Sequence, residues 1–410
     1  MHSQSPALRE LVNAVRHGIP DALGVFWRHA ATAGTPLVEP DPEGDPAWRL
    51  VTFLLRDDAA RPATDVLALL HTVTDKDRHA KNLAPHLMEK LPGTDVWAIS
   101  HRLRADHRAS YQFFVAHGPR EETLRADRAS WLRVLDEAVP DPLSTRPQLP
   151  SRDGRNPSSE MELPDAPVQE WAAPRAGTAR GERTEAVVDG RRVHVHLPAG
   201  HRAGGGPYPV VVLLDGEMWG PVLDFGTALD NLYADERLPE AVTLMVDTMG
   251  RARRMEDLSC SEEFVDWMAD VLLPWAARSY GAADDPARTV VAGQSAGGLT
   301  AAFAAFRRPE RFGNALSQSG SFWWPDGTEF DGGSEWLTRQ FAVSEKRPVR
   351  LRVEVGLQEW MLLPQNRHLR NVLEARGYEV AYGEFNGGHD YACWRGGLAT
   401  GLAALLGDRG

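Results

Sequence analysis

The sequence predicts an α/β protein, in which a mostly parallel sheet flanked by helices is preceded by a smaller β-sandwich-like domain. Three observations predict it. Beyond about residue 183, short β-branched apolar runs alternate with helical stretches, the pattern of strands buried on both faces and joined by crossover helices. Before about residue 139, strand-like runs are separated instead by turn residues, as in antiparallel structure. Between the two, Val139 to Arg183 is crowded with Pro, Asp, Arg, Ser and Gly and keeps no sustained period. The domains are accordingly placed at 1–145 and 184–410, with 146–183 as a linker.

Taken in chain order, Ala7 to Thr32 predicts a helix, with Leu11, Val15, Phe26 and Trp27 spaced for one face. Arg49–Arg56, Asp95–Ser100 and Ser110–Val115 predict strands of a small β-sandwich. In the second half, strands are predicted at Arg192–Leu197, Val210–Leu214, Ala241–Val246, Thr289–Ala292, Asn314–Ser317, Leu351–Val355 and Val380–Glu384, with a closing helix over Trp394–Leu406. No internal repeat is present.

Composition excludes several classes. At 410 residues, 42% hydrophobic and 25% charged, the chain has the make-up of a globular protein with more than one domain. No apolar run approaches the roughly 18 residues of a membrane span, and Met1–Glu10 has neither the basic nor the apolar region of a signal peptide, so the expected location is cytoplasmic. A net charge of −12 argues against general affinity for nucleic acid or an anionic membrane. Only Cys260 and Cys393 are present, too few for a disulfide scaffold or a Cys-only zinc site, and they read as reduced thiols.

The chemistry-bearing run is Gly293-Gln294-Ser295-Ala296-Gly297. A lone G-x-S-x-G is weak, but here the apolar strand Thr289–Ala292 leads into it and the helix-forming Gly298–Phe306 leaves it. Strand, sharp turn and helix make the nucleophile elbow of an α/β-hydrolase, with glycines where side chains would collide. Ser295 is the expected nucleophile. In this fold the base comes last in chain order, and His389, in Asn386-Gly387-Gly388-His389-Asp390, stands between the last strand and the closing helix. The acid that orients it is expected after the strand Leu351–Val355, which points to Glu359; a Ser-His dyad with Glu359 merely nearby is the alternative. Oxyanion donors are expected from the N–H of Ala296 and from the turn Leu213–Trp219, where Gly216 allows a close backbone approach.

Two features bear on the substrate. Asp247–Arg254 holds the densest cationic cluster of the second domain and follows a strand end, so Arg251 and Arg254 are candidates to bind an anion. Trp219, Trp323 and Trp324 also follow strand ends and are candidates to stack on aromatic rings.

With these residues assembled, the chain resembles the enterochelin esterases. The resemblance is carried by Leu214–Trp219, Val290–Ser295, Leu316–Pro325, Gly387–Asp390 and Cys393–Gly397, and in the first half by Val51–Phe53, Gly93–Trp97 and Asp141–Leu143, so it spans nearly the whole chain. It implies that Ser295 and His389 are catalytic, that Gly216 and Ala296 lie at the oxyanion hole, and that Arg254 approaches the substrate. It further implies esterolysis of a ferric catecholate siderophore trilactone, with iron only as part of the substrate and no metal site or cofactor of the protein's own. A trianionic, aromatic ligand matches an Arg cluster and Trp residues in an acidic chain. An acyltransferase or cyclase acting through acyl-Ser295, and a non-catalytic siderophore-binding protein, are the competing readings. Capping of the site and homodimerisation are the two roles open to the N-terminal domain, which shows no catalytic set of its own.

Overall fold

The computed structural model describes residues 5–152, 154–325 and 335–407. Two compact units emerge: Met1–Pro167 with Asn386–Ala392, and Val168–Phe385 with Cys393–Gly410.

Among its described residues the first unit contains seven strands: β1 Leu37–Pro40, β2 Trp48–Arg56, β3 Asp65–Leu70, β4 Glu89–Lys90, β5 Val96–Arg104, β6 Arg108–Ala116 and β7 Ser159–Glu162. They form two antiparallel sheets, ordered β1-β2-β5-β4 and β3-β6-β7. Because side chains alternate along a strand, each sheet has two apolar faces to cover. Val51, Phe53, Trp97 and Ile99 of one sheet meet Val66, Ala68, Tyr111 and Phe113 of the other in a common core, which makes the predicted sandwich. The alternate residues Leu54, Val96 and Ala98 are covered by Leu8, Leu11, Phe26 and Trp27. Leu67, Leu69 and Phe114 are covered by Trp131 and Val134 of the helix Arg128–Glu137.

Three local expectations are corrected. The single helix over Ala7–Thr32 is two helices, Pro6–Arg16 and Ala22–Ala33, parted where Gly18 takes a positive φ of 68° and Pro20 cannot continue an α-helical ladder. Asp65–Leu70 was not expected as a strand; it is buried along its whole length, so its sequence shows no alternation. The linker 146–183 contains β7, whose Ser-Glu-Met-Glu sequence has one apolar residue and which is recruited by pairing with β6.

The second unit is an eight-stranded sheet of β8 Glu182–Val188, β9 Arg191–Leu197, β10 Val210–Leu214, β11 Val242–Val246, β12 Thr289–Gln294, β13 Asn314–Gln318, β14 Arg350–Gly356 and β15 Glu379–Phe385. The order is β15-β14-β13-β12-β10-β11-β9-β8. All pairs from β11 to β15 are parallel, and β8 and β9 add an antiparallel edge. Leu299, Phe303 and Phe306 of the helix Ala296–Arg307 pack into the core with Val291 and Ala315. On the opposite face Leu316 meets the closing helix Tyr391–Leu406, where a Cβ on Gly401 would come within 2.7 Å of its Cδ1. From β10 the chain passes outward to β11, then crosses to β12 on the other side of β10. This reversal is the switch point at whose carboxyl edge open α/β sheets bind ligands.

Candidate active site

Ser295 follows β12 at that switch point and precedes the helix Ala296–Arg307. Its backbone lies at φ 60°, ψ −123°, a conformation L side chains rarely adopt and whose cost, about 1–3 kcal/mol, the surroundings must hold. They do so from both sides. The Ser295 N–H donates to the Gln318 carbonyl (3.0 Å), and the Ser295 carbonyl accepts from Leu299 N (3.1 Å) and Ser321 N (3.0 Å). A Cβ on Gly293 would sit 2.5 Å from the Gly297 carbonyl carbon, and one on Gly298 would sit 2.7 Å from Ser317 Oγ. The elbow therefore exists only with these glycines. The half-buried Ser295 Oγ lies 3.4 Å from Ser321 Oγ. Ala296 is the first helical residue, so its N–H has no partner one turn back within the helix and joins the positive end of the dipole beside Ser295.

Below the elbow runs a relay of buried polar groups that the sequence reading missed. Trp219 Nε1 donates to Gln294 Oε1 (2.8 Å), Gln294 Nε2 to Gln318 Oε1 (2.9 Å), and Gln318 Nε2 to Glu354 Oε2 (3.1 Å). Arg352 Nε closes it on Glu354 Oε1 at 2.8 Å. The parallel register that pairs Gln294 with Gln318 and Gln318 with Glu354 places these side chains in one row. A signal was available: a Gln at the end of a buried apolar strand needs a partner. Trp219 is corrected by this row, because its indole is fully buried and spends its N–H on Gln294, which leaves no face for a ligand.

Glu359 follows β14 and is 2% exposed. Its Oε1 accepts from Ser319 Oγ (2.5 Å) and from Gly356 N (2.8 Å), while Ser319 Oγ accepts from Trp394 Nε1 (2.9 Å). Ser319 also has a positive φ, 51°. The carboxylate is thus held by a strained serine at the end of β13, a second position that sequence reasoning passed over because Ser in a turn carries no signal.

His389 lies in the segment that leaves β15 at Phe385, and the contacts of Asn386–Ala392 assign that segment to the first unit. The His389 N–H donates to Thr72 Oγ1 (2.8 Å), and its carbonyl oxygen is 2.8 Å from His71 Nε2. Along one sheet edge, therefore, the second unit presents Ser295 after β12, Ser319 after β13 and Glu359 after β14, and the His389 segment is the next in chain order, after β15.

Gly216 follows β10, and a Cβ there would lie 2.2 Å from the Met245 carbonyl oxygen. Its glycine is required by contact with the β11 backbone, not only by approach of a ligand as the sequence suggested. Before it, Asp215 takes a positive φ of 60° and accepts a bidentate pair from Arg254 (Nε–Oδ1 2.6 Å, Nη2–Oδ2 2.9 Å). Glu217 reaches the turn after β11 through Thr248 N (3.0 Å) and Thr248 Oγ1 (2.6 Å). Two guanidinium nitrogens of Arg254 are thus committed to Asp215, and Arg253 pairs with Asp257 at 3.3 Å. Arg251 stands exposed at the start of the helix Arg251–Asp257. Trp323 and Trp324 are half-buried after β13, with Trp324 edge-on to Trp336 at 5.7 Å. Cys260 is a buried thiol. Among the described residues no group of three or more His, Cys, Asp or Glu is arranged to hold a metal, and no helix is long and apolar enough to cross a membrane.

The same two-part chain occurs in known proteins. Residues 184–405 match the "Putative esterase" family, and residues 50–172 match the family described as enterochelin esterase, N-terminal. An iron(III) enterobactin esterase of Escherichia coli is 34% identical over 371 residues, covering 87% of this chain and 90% of the relative. An iron(III) salmochelin esterase of the same organism is 32% identical, with 99% of both chains covered. The crystal structure of an enterobactin esterase from Shigella flexneri, obtained in the presence of enterobactin, superposes with a TM-score of 0.78 at 30% identity over 93% of this chain and 97% of that one. An elbow serine at the switch point of a parallel sheet, joined to this particular N-terminal unit, makes the chain a carboxylic ester hydrolase and a member of the enterochelin esterase family.

Proposed function

We propose that the chain hydrolyses the serine ester bonds of a ferric catecholate siderophore trilactone, with Ser295, His389 and Glu359 as its triad, and so aids iron release in the cytoplasm. The observation that carries the reading is the strained Ser295 elbow at the carboxyl edge of the sheet, with Glu359 at the same edge after β14 and His389 following β15 in chain order. Relatives named as iron(III) enterobactin and salmochelin esterases, aligned over nearly the whole chain, supply the substrate class.

Ser295 Oγ attacks the ester carbonyl carbon while His389 takes its proton, and Glu359 orients the imidazole and stabilises the imidazolium. The N–H groups of Ala296 and Gly216 receive the oxyanion. Collapse breaks the acyl C–O bond, and His389 returns the proton to the departing serine hydroxyl. Water then attacks acyl-Ser295 with His389 as base, the acyl C–Oγ bond breaks to free the acid as a carboxylate, and His389 returns the proton to Ser295 Oγ. No cofactor enters this scheme; iron is cargo, and each cleaved ester removes part of the backbone that gathers its ligands. Arg251, Trp323 and Trp324 supply a cation and ring faces suited to an anionic aromatic ligand.

The test is to incubate wild-type protein and Ser295→Ala with ferric and iron-free cyclic trilactone and to follow products by mass spectrometry. Wild type should add one water per ester cleaved and Ser295→Ala none. Full hydrolysis by Ser295→Ala, or acyl transfer to an added amine in place of hydrolysis, overturns the proposal.

A further inference from the structure

We propose that Thr72 and His71 are positioning residues for His389, so that the N-terminal sandwich holds the base of the reaction; this rests on the proposed role of His389 as that base. The segment Asn386-Gly387-Gly388-His389-Asp390 carries two adjacent glycines, so by itself it would sample many backbone states. In the structure it is tied at three residues to the rest of the first unit, to which its contacts assign it. Asn386 Nδ2 donates to Asp106 Oδ1 (2.7 Å), and the Asn386 carbonyl accepts from Arg108 N (3.2 Å). The Asp390 carboxylate accepts from Ser110 N and from Ala392 N, the latter at 2.9 Å. His389 is gripped on both sides of its own Cα, its N–H by Thr72 Oγ1 and its carbonyl by His71 Nε2, each at 2.8 Å. Because the carbonyl can only accept, His71 must carry its proton on Nε2.

The grip is built at some cost. Thr72 is buried and takes φ 68°, ψ −41°, a conformation that a β-branched residue rarely adopts and that persists only where the surroundings impose it. Thr72 also fits against Gly388 so closely that a Cβ there would fall 2.1 Å from Thr72 Oγ1. The end of β3 is itself secured to β6, since His71 N donates to the Ser110 carbonyl at 3.0 Å. These bonds use only the backbone of His389. An imidazole must stand within hydrogen-bond reach of the serine hydroxyl, and a displacement of about 1 Å costs on the order of a hundredfold in rate.

The test compares Thr72→Val, which keeps the shape and removes the acceptor, with Thr72→Ser, which keeps the acceptor. Each is made in wild type and in His389→Gln, and kcat and KM for trilactone cleavage are measured well below melting. Thr72→Val should lower kcat about 10- to 100-fold with KM unchanged within about twofold. Thr72→Ser should restore kcat to within about threefold. In the His389→Gln background Thr72→Val should cost nothing further, because there is no base left to position. Wild-type kcat in Thr72→Val, an equal loss in Thr72→Ser, or a full additional loss on top of His389→Gln overturns the positioning role. Retained activity in His389→Gln alone would instead remove His389 as the base, a separate outcome read from a separate variant.

Discussion

Replacing Arg254 by Met decides whether this arginine braces the turn after β10 or chiefly meets substrate. Its partner Asp215 has a side chain 2% exposed, and the Arg254 side chain is 16% exposed, so the pair is largely out of water. Both carboxylate oxygens receive a guanidinium nitrogen, at 2.6 and 2.9 Å. Removing one member of such a pair leaves a buried charge without its counter-charge, which costs about 3–5 kcal/mol. For a unit of this size, each kcal/mol lowers the midpoint by about 2–4 °C, so Arg254→Met should melt roughly 10 °C lower. Asp215→Asn in the same chain should recover most of the loss, because a neutral amide needs no counter-charge and Asn tolerates the positive φ of that position. The assay is calorimetry of the four members of the cycle, with kcat and KM measured in parallel. Arg254→Met with an unchanged midpoint and a raised KM would refute the brace and make Arg254 a substrate residue alone.

Glu359→Gln should fold normally, since its amide oxygen can still accept from Ser319 Oγ and Gly356 N, yet kcat should fall about 10²–10⁴-fold as His389 loses its orienting charge. A kcat within about threefold of wild type would favour a Ser-His dyad. Gly293→Ala should lose hydrolysis and labelling of Ser295 by a fluorophosphonate, because its Cβ meets Gly297 backbone at 2.5 Å and no side-chain movement can relieve it. Undiminished labelling would show that the elbow tolerates a side chain. In the first unit, burial pushes His101 and His107 down to about 4, from an ordinary value near 6.5. Both bind protons more readily unfolded, so their stabilisation is complete above pH 6.5 and lost as pH falls from there through 4, by up to about 3 kcal/mol each. His101→Phe should flatten that decline in a thermal scan between pH 7 and 4.5, and an unaltered slope would refute it.

Much of the site was legible in the sequence because its elements are local. The elbow at Ser295 needs only a strand, a glycine-flanked turn and a helix in continuous chain, and the parallel strands advertise themselves as apolar runs with no polar face. Chain order then pointed to Glu359 and His389. What failed to show was whatever depends on partners distant in sequence. Trp219 carries the same indole whether it faces a ligand or Gln294, and only its approach, after β10, to Gln294 of β12 set it in a buried row. Ser159–Glu162 lacks strand character and is a strand because β6 offers it a ladder.

By itself the sequence determined the class of sheet, the elbow at Ser295 and the family, since backbone sterics and hydrophobic periodicity act within a few residues. Tertiary structure alone decided where side chains spend their hydrogen bonds. It turned Arg254 toward Asp215, raised Ser319 and Gln318 from ordinary turn and strand residues to supports of the site, and gave the His389 segment to the N-terminal unit. The physical reason is one of range: a buried polar group must be satisfied by whichever partner the fold brings near, and that partner can lie 317 residues away, as Thr72 does from His389.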